Sequence, residues 1–311
     1  MSALESYRLE ASAYRRRLVA WGRTVPVEHW LSFVVALAAC GVVFWRLGPV
    51  EVFTISTPTG GDMGAHVWGP AFLRDHLLPS FQLRGWSPDW YAGFPAMQFY
   101  MVLPYLFIVL VDLFLPYGIA FKLVAISGVV LMPLAAWAMG RLSRWREPLP
   151  ALMAVAALLF VFDFNFTIYG GNIASTLAGE FAFSIGLAAS LIYLGLSYRV
   201  LEHGTHRARA AIVLAVVALC HPITLLFAVT ATAVQVAVRS LHVLPRRIGT
   251  KPAAATLLVA TLVLVGVFAG TSRLFPKLLA AALVLICLLL LEFRRSIRVL
   301  AVGVIGGALS A

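Results

Sequence analysis

Charge is what this chain has least of. Only 12% of its residues are Asp, Glu, Lys or Arg, about half the ~25% of an ordinary soluble domain, and the mean hydropathy is +0.93. A water-solvated globular surface is therefore excluded. Cysteine is just as sparse. Cys40, Cys220 and Cys287 each fall inside an apolar run, so no disulfide framework is implied and all three read as small core residues. The net charge of +11 comes from short basic clusters between apolar runs, where it sets membrane topology. Nucleic acid is not an expected partner.

Apolar sequence is what is abundant. Runs at roughly 29–46, 98–117, 118–140, 149–163, 181–198, 210–238, 252–270 and 275–292 approach the ~17 to 25 residues that cross a hydrocarbon core. The expected fold is an all-α integral membrane protein with about eight crossings, its main partner the lipid bilayer. Residues 1–28 form a basic cytoplasmic N-terminus, and 29–311 a polytopic membrane domain. Arg8, Arg15, Arg16, Arg17 and Arg23 precede the run Trp30 to Trp45 in the manner of a signal sequence, and Leu37-Ala38-Ala39-Cys40 resembles a lipoprotein cleavage box. The run continues past Cys40 and is bracketed by tryptophans, so a retained span is expected.

Charge resolves two ambiguous runs. If 98–117 lies at the surface as a kinked helix, and 210–238 is a hairpin of two short helices meeting at His221-Pro222, then 18 of the 24 basic residues fall on the cytoplasmic side, as the positive-inside tendency requires. Pro222 gives a physical reason for the break, because it has no backbone N–H to donate. The N-terminus is then inside, and 47–117 and 163–180 are external loops. The final run, Val299 to Ala311, is 13 residues, short of a span, and reads as the start of something truncated.

On this map 7 of the 13 acidic residues lie outside or at the outer boundary, where acids at helix mouths are functional candidates. Asp62 follows Gly60-Gly61, which let backbone approach closely, and His66 lies one helical turn on, on the same face. That spacing suits proton abstraction or metal binding; equally, Asp62 suits a helix cap. Glu180 closes the second loop after Gly170-Gly171-Asn172, at a helix start that suits metal or anion contact, or simple stabilisation of the helix dipole. Trp86, Trp90 and Tyr91, in a turn-rich stretch ending Gly93-Phe94-Pro95, suit stacking on sugar rings or anchoring at the interface. Asn172 and His221 complete the candidate substrate contacts, with a structural hinge the competing role for His221.

The stretches Gly60-Gly61-Asp62, Phe72 to Pro79, Gly85 to Pro95 and Ala120 to Leu123 resemble the bacterial membrane proteins called 6-pyruvoyl-tetrahydropterin synthase-related, over about residues 28–240. The order of span, acidic external loop with two membrane-surface helices, two spans and second acidic loop resembles the GT-C glycosyltransferases. The resemblance implies transfer of a sugar from a polyprenyl-phosphate donor to a hydroxyl of a glycan, lipid or protein acceptor, at the outer face of the cytoplasmic (inner) membrane. It puts the catalytic acid on Asp62, with His66 beside it, and a Mg or Mn ion on Asp62 and Glu180. Met63 stands where many such enzymes carry a second acid. Two other classes remain: a transporter or flippase of a polyprenyl-linked lipid, and a non-catalytic assembly protein.

Overall fold

A computed structural model of the chain describes residues 26–98, 101–165, 167–248 and 293–310. The basic N-terminus as far as residue 25, the runs at 252–270 and 275–292, and Cys287 lie outside them. The described part is helical apart from one short hairpin.

The chain opens with α1 (Val27–Arg46), unbroken through Ala39 and Cys40, both of which are buried. A single turn, α2 (Pro49–Val52), follows. The first long loop then holds α3 (Met63–Phe72), which runs on through further helical turns to Ser80. After it come the strands β1 (Gly85–Ser87) and β2 (Phe94–Ala96), an antiparallel pair with Trp86 opposite Pro95, and α4 (Val102–Asp112). At 11 residues and about 1.5 Å of rise each, α4 reaches only about half of a ~30 Å hydrocarbon core. The segment 98–117, expected not to cross, therefore holds a helix too short to cross alone.

Next come α5 (Tyr117–Leu142), α6 (Leu149–Val161), α7 (Ile173–Ala178), α8 (Phe181–His203), α9 (Arg207–Cys220), α10 (Pro222–Ile248) and α11 (Phe293–Ser310). The hairpin expected within 210–238 is present. His221 adopts extended backbone, φ −158° and ψ 132°, and Pro222 opens α10, where its missing N–H costs nothing. The sequence suggested about eight crossings. Among the described residues, four helices are long and apolar enough to cross: α1, α5, α8 and the Pro222–His242 part of α10. The run 149–163 becomes a helix of only 13 residues, and α9 has 14, so neither spans alone by length. The final apolar run belongs to an 18-residue helix, α11, packed along α9 through Val302 and Gly306.

Helices in lipid gain little from the hydrophobic effect when they meet, so contact surfaces favour small residues and close packing. The α5–α8 pair follows this rule. A Cβ added at Gly128 would lie 2.4 Å from the Ile185 backbone nitrogen, and one at Gly195 would lie 2.7 Å from Leu142 Cβ. Gly186 meets Thr224 of α10 as closely, at 2.4 Å. Hydroxyls in this interface bond internally: Thr232 donates to Tyr193 Oη at 3.3 Å and Ser197 to Gln235 at 2.6 Å. Leu31, Val34, Leu159, Leu226 and Val304 face outward, as side chains solvated by lipid do.

Charge separates by end. Arg141, Arg144, Arg146 and Arg199 line one cavity; Glu202 pairs with Arg239 and Arg295, and Gly204 lies against Arg207 and Arg298, all where α5 and α8 finish. At the other end, where α5 and α8 begin, lie Asp62, Asp163 and Glu180, with Asp112 paired to Arg74. Ser80 and Thr205 are exposed at the two opposite ends. In a Cys287→Ser background, an impermeant maleimide applied to intact cells is expected to label Ser80→Cys and to spare Thr205→Cys until the membrane is opened. Labelling of both from outside would overturn this topology.

Candidate functional site

Two glycines bring the acidic loops together. Gly61 has φ +52° and Gly179 φ +130°, conformations that L side chains rarely adopt. Space forbids a side chain as well: a Cβ at Gly61 would lie 2.2 Å from the Ala178 carbonyl oxygen, and one at Gly179 would lie 2.8 Å from Asp62 Cβ. Within this contact the Asp62 amide donates to the Ala178 carbonyl at 2.8 Å. Asp62 thus sits against the residue that precedes Glu180.

Asp62 occupies the N-cap position of α3 but makes no side-chain capping bond. Its carboxylate is exposed, so the local stabilising role open to it is not taken. His66, one turn on, packs its ring edge-on to Phe181 with centroids 5.4 Å apart and bonds through Nδ1 to the Tyr105 hydroxyl at 3.0 Å. Burial holds the imidazole below its ordinary value, with the Asp62 carboxylate opposing. Burial, and then the nearby Asp62 carboxylate, push Glu180 above its ordinary 4.5. Beside Glu180 opens a cavity of about 480 Å³ lined by Tyr169, Phe183, His221 and Ile223.

The other expected residues divide. His221 does reach this cavity, though it is only 7% exposed and its Nδ1 accepts the Ile223 amide at 3.2 Å. Asn172 is fully buried: its carboxamide oxygen caps α7 by accepting the Ser175 amide at 2.7 Å, and its nitrogen donates to the Asp163 carbonyl at 2.7 Å. Together these bonds clamp the second loop. Trp90 stacks within the protein, 5.8 Å from Phe94 and 4.9 Å from Trp68, whose indole N–H donates to Asp89 at 2.6 Å. Trp86 lies over Gly93 and is 65% exposed, and Tyr91 is 94% exposed, so these two keep faces free for a solute or an interface. Tyr105, Phe181 and Gly179 were not singled out in the sequence. Tyr105 sits inside an apolar run, 39 positions from the histidine it holds.

Among the described residues no three His, Cys, Asp or Glu side chains converge on one point. Asp62 and Glu180 are a two-carboxylate set, which fits an ion such as Mg²⁺ that keeps several waters and takes one or two carboxylates plus substrate phosphate. A cation there would also offset the Asp62 charge that adds to burial in raising Glu180. No family model, curated protein or solved structure matches the chain.

Two outcomes follow from this geometry. Gly61→Ala is expected to lower stability by about 1 to 3 kcal/mol, through strained backbone and a clash with Ala178. Gly64→Ala, with open space around its Cβ, should match or exceed the parent; thermal unfolding in detergent separates the two, and equal melting temperatures would refute the close approach. Glu180 holds its proton more tightly folded than unfolded, so its contribution favours folding most below pH 4.5 and is lost as pH rises through the folded value. Glu180→Gln is therefore expected to gain stability over the parent progressively between pH 4.5 and neutrality, with no gain below 4.5. An advantage independent of pH would show that the folded protein does not hold the Glu180 proton more tightly than the unfolded chain.

Proposed function

We propose that this chain is a GT-C-like membrane glycosyltransferase of the 6-pyruvoyl-tetrahydropterin synthase-related kind. It would move a sugar from a polyprenyl-phosphate donor to an external acceptor hydroxyl in cell-envelope glycan assembly. The N-terminus would lie in the cytoplasm and the acidic end at the outer face of the inner membrane. The observation that carries the reading is Asp62, its side chain making no capping bond, brought against Gly179, whose neighbour Glu180 lines a cavity at the helix mouths.

In the reaction Asp62 takes the proton of the acceptor hydroxyl, whose oxygen bonds to the anomeric carbon of the donor. The carbon–phosphate oxygen bond breaks, and polyprenyl phosphate leaves with the electron pair. His66, held by Tyr105, fixes the face from which Asp62 works. A Mg²⁺ or Mn²⁺ ion on Asp62 and Glu180 would supply charge stabilisation to the leaving phosphate. Exposed Trp86 and Tyr91 offer aromatic faces to a glycan. Passage of a polar headgroup through the bundle is less well supported, since a transport path needs polar groups deep in the spans. The hydroxyl and amide groups of α8 and α10 are instead bonded to one another.

Asp62→Asn is expected to reduce transfer by a factor of about 100 to 10,000 while membrane yield and melting temperature stay near those of the parent. Consumption of the polyprenyl-phosphate sugar by purified membranes is the readout. Parental turnover in the variant would remove the residue-level basis of the proposal.

A further inference from the structure

At the end opposite the acidic site, a cavity of about 490 Å³ opens between the start of α1, the α5–α6 connection and the last turns of α8. Four guanidinium groups line it, from three places in the chain: Arg141 in the last turn of α5, Arg144 and Arg146 in the connection, and Arg199 in α8. Glu28, His29 and Glu147 line it as well; Glu147 pairs with Arg141 at 3.2 Å and its Oε2 is buried without a partner, so the four arginines exceed the two carboxylates by two. Arg144, Arg146 and Arg199 have no acidic partner among the described residues, and Arg199 Nε is buried without an acceptor. Arg144 and Arg141 are close enough to repel Arg199. Gathering like charges around a buried unbonded donor is costly, and an anion in the cavity would offset both costs. Orienting the chain in the bilayer needs only the positive charges; it does not need them to frame a cavity.

We infer that this cavity is a binding site for a phosphate group, which planar guanidinium groups grip through paired hydrogen bonds. The surroundings favour a phosphate carried by an anionic lipid. Trp145 and Trp30 are exposed at this end, as side chains at a headgroup boundary are, and Leu31, Leu149 and Leu152 expose apolar surface on α1 and α6, along which acyl chains can lie. Basic pockets between membrane helices take anionic headgroups by this combination. The site is independent of the Asp62 chemistry.

The test uses the purified full chain in a neutral detergent, with binding followed by native mass spectrometry. Dioctanoyl phosphatidylglycerol is compared with dioctanoyl phosphatidylcholine, and in separate arms with glycerol 3-phosphate and inorganic phosphate. The expected result is saturable phosphatidylglycerol binding at least about tenfold tighter than phosphatidylcholine. Arg199→Gln and Arg144→Gln should each weaken it about tenfold, in keeping with loss of a charge-assisted bond. Arg209→Gln, which removes the same charge outside the cavity, should leave it unchanged. Arg144 is on an exposed loop, so its variant decides the matter if Arg199→Gln fails to accumulate. Glycerol 3-phosphate binding as tightly as the lipid, and equally sensitive to Arg144→Gln, would uphold the phosphate site and assign it to a soluble ligand. No preference for phosphatidylglycerol over phosphatidylcholine together with no binding of either soluble phosphate, or equal loss in all three variants, would overturn the inference.

Discussion

A single backbone hydrogen bond, from the Asp62 amide to the Ala178 carbonyl, joins the first long loop to the entrance of α8, and the acidic end is built around it. It forms only because Gly61 and Gly179 lack side chains at the point of closest approach. Other anchors hold the rest of the loop to the same helix ends. Lys122 donates to the Glu51 and Thr54 carbonyls, Arg74 bridges to Asp112, and the Met101 amide reaches the Cys220 carbonyl. Polar backbone near a bilayer must find partners within the protein or in water, and here the loop and the helix ends supply one another's.

Beneath that junction α8 is the shared wall. It meets α5 through Gly128 and Gly195 and α10 through Gly186, so three helices pack near backbone contact with few polar groups unspent. The apolar cluster of Phe72, Leu73, Tyr105, Phe121 and Phe181 continues this packing up into the loop segment. The histidine held by Tyr105 is therefore supported from both the bundle and the surface helices.

Much of the acidic site was legible because its signals are local: glycines beside an acid, an acid one turn from a histidine, a second acid at a helix start. That the loops carrying the two acids come together, through the Asp62 amide and the Ala178 carbonyl, was also suggested by topology, since both end on one side. Charge parity likewise favoured a segment that does not cross where the short helix Val102–Asp112 lies, and the break at His221-Pro222. What could not be read was anything fixed by distant packing. Tyr105 looks like any aromatic in an apolar run. Asn172 carried a polar group into a glycine-rich loop, and only the fold shows that the group is consumed by Ser175 and Asp163. Hydropathy reports apolarity, whereas a span also needs length; α6, at 13 residues, has the first without the second.

The segregation of charge between the two ends has an electrical consequence. With arginines collected at one end and carboxylates in excess at the other, the described helices carry a charge dipole along their bundle. Each elementary charge carried across a 100 mV potential is worth about 2.3 kcal/mol, and both ends contribute with the same sign when the arginine end faces the negative compartment. An energised membrane therefore holds the molecule in that orientation, and the inverted arrangement becomes costlier as the voltage rises.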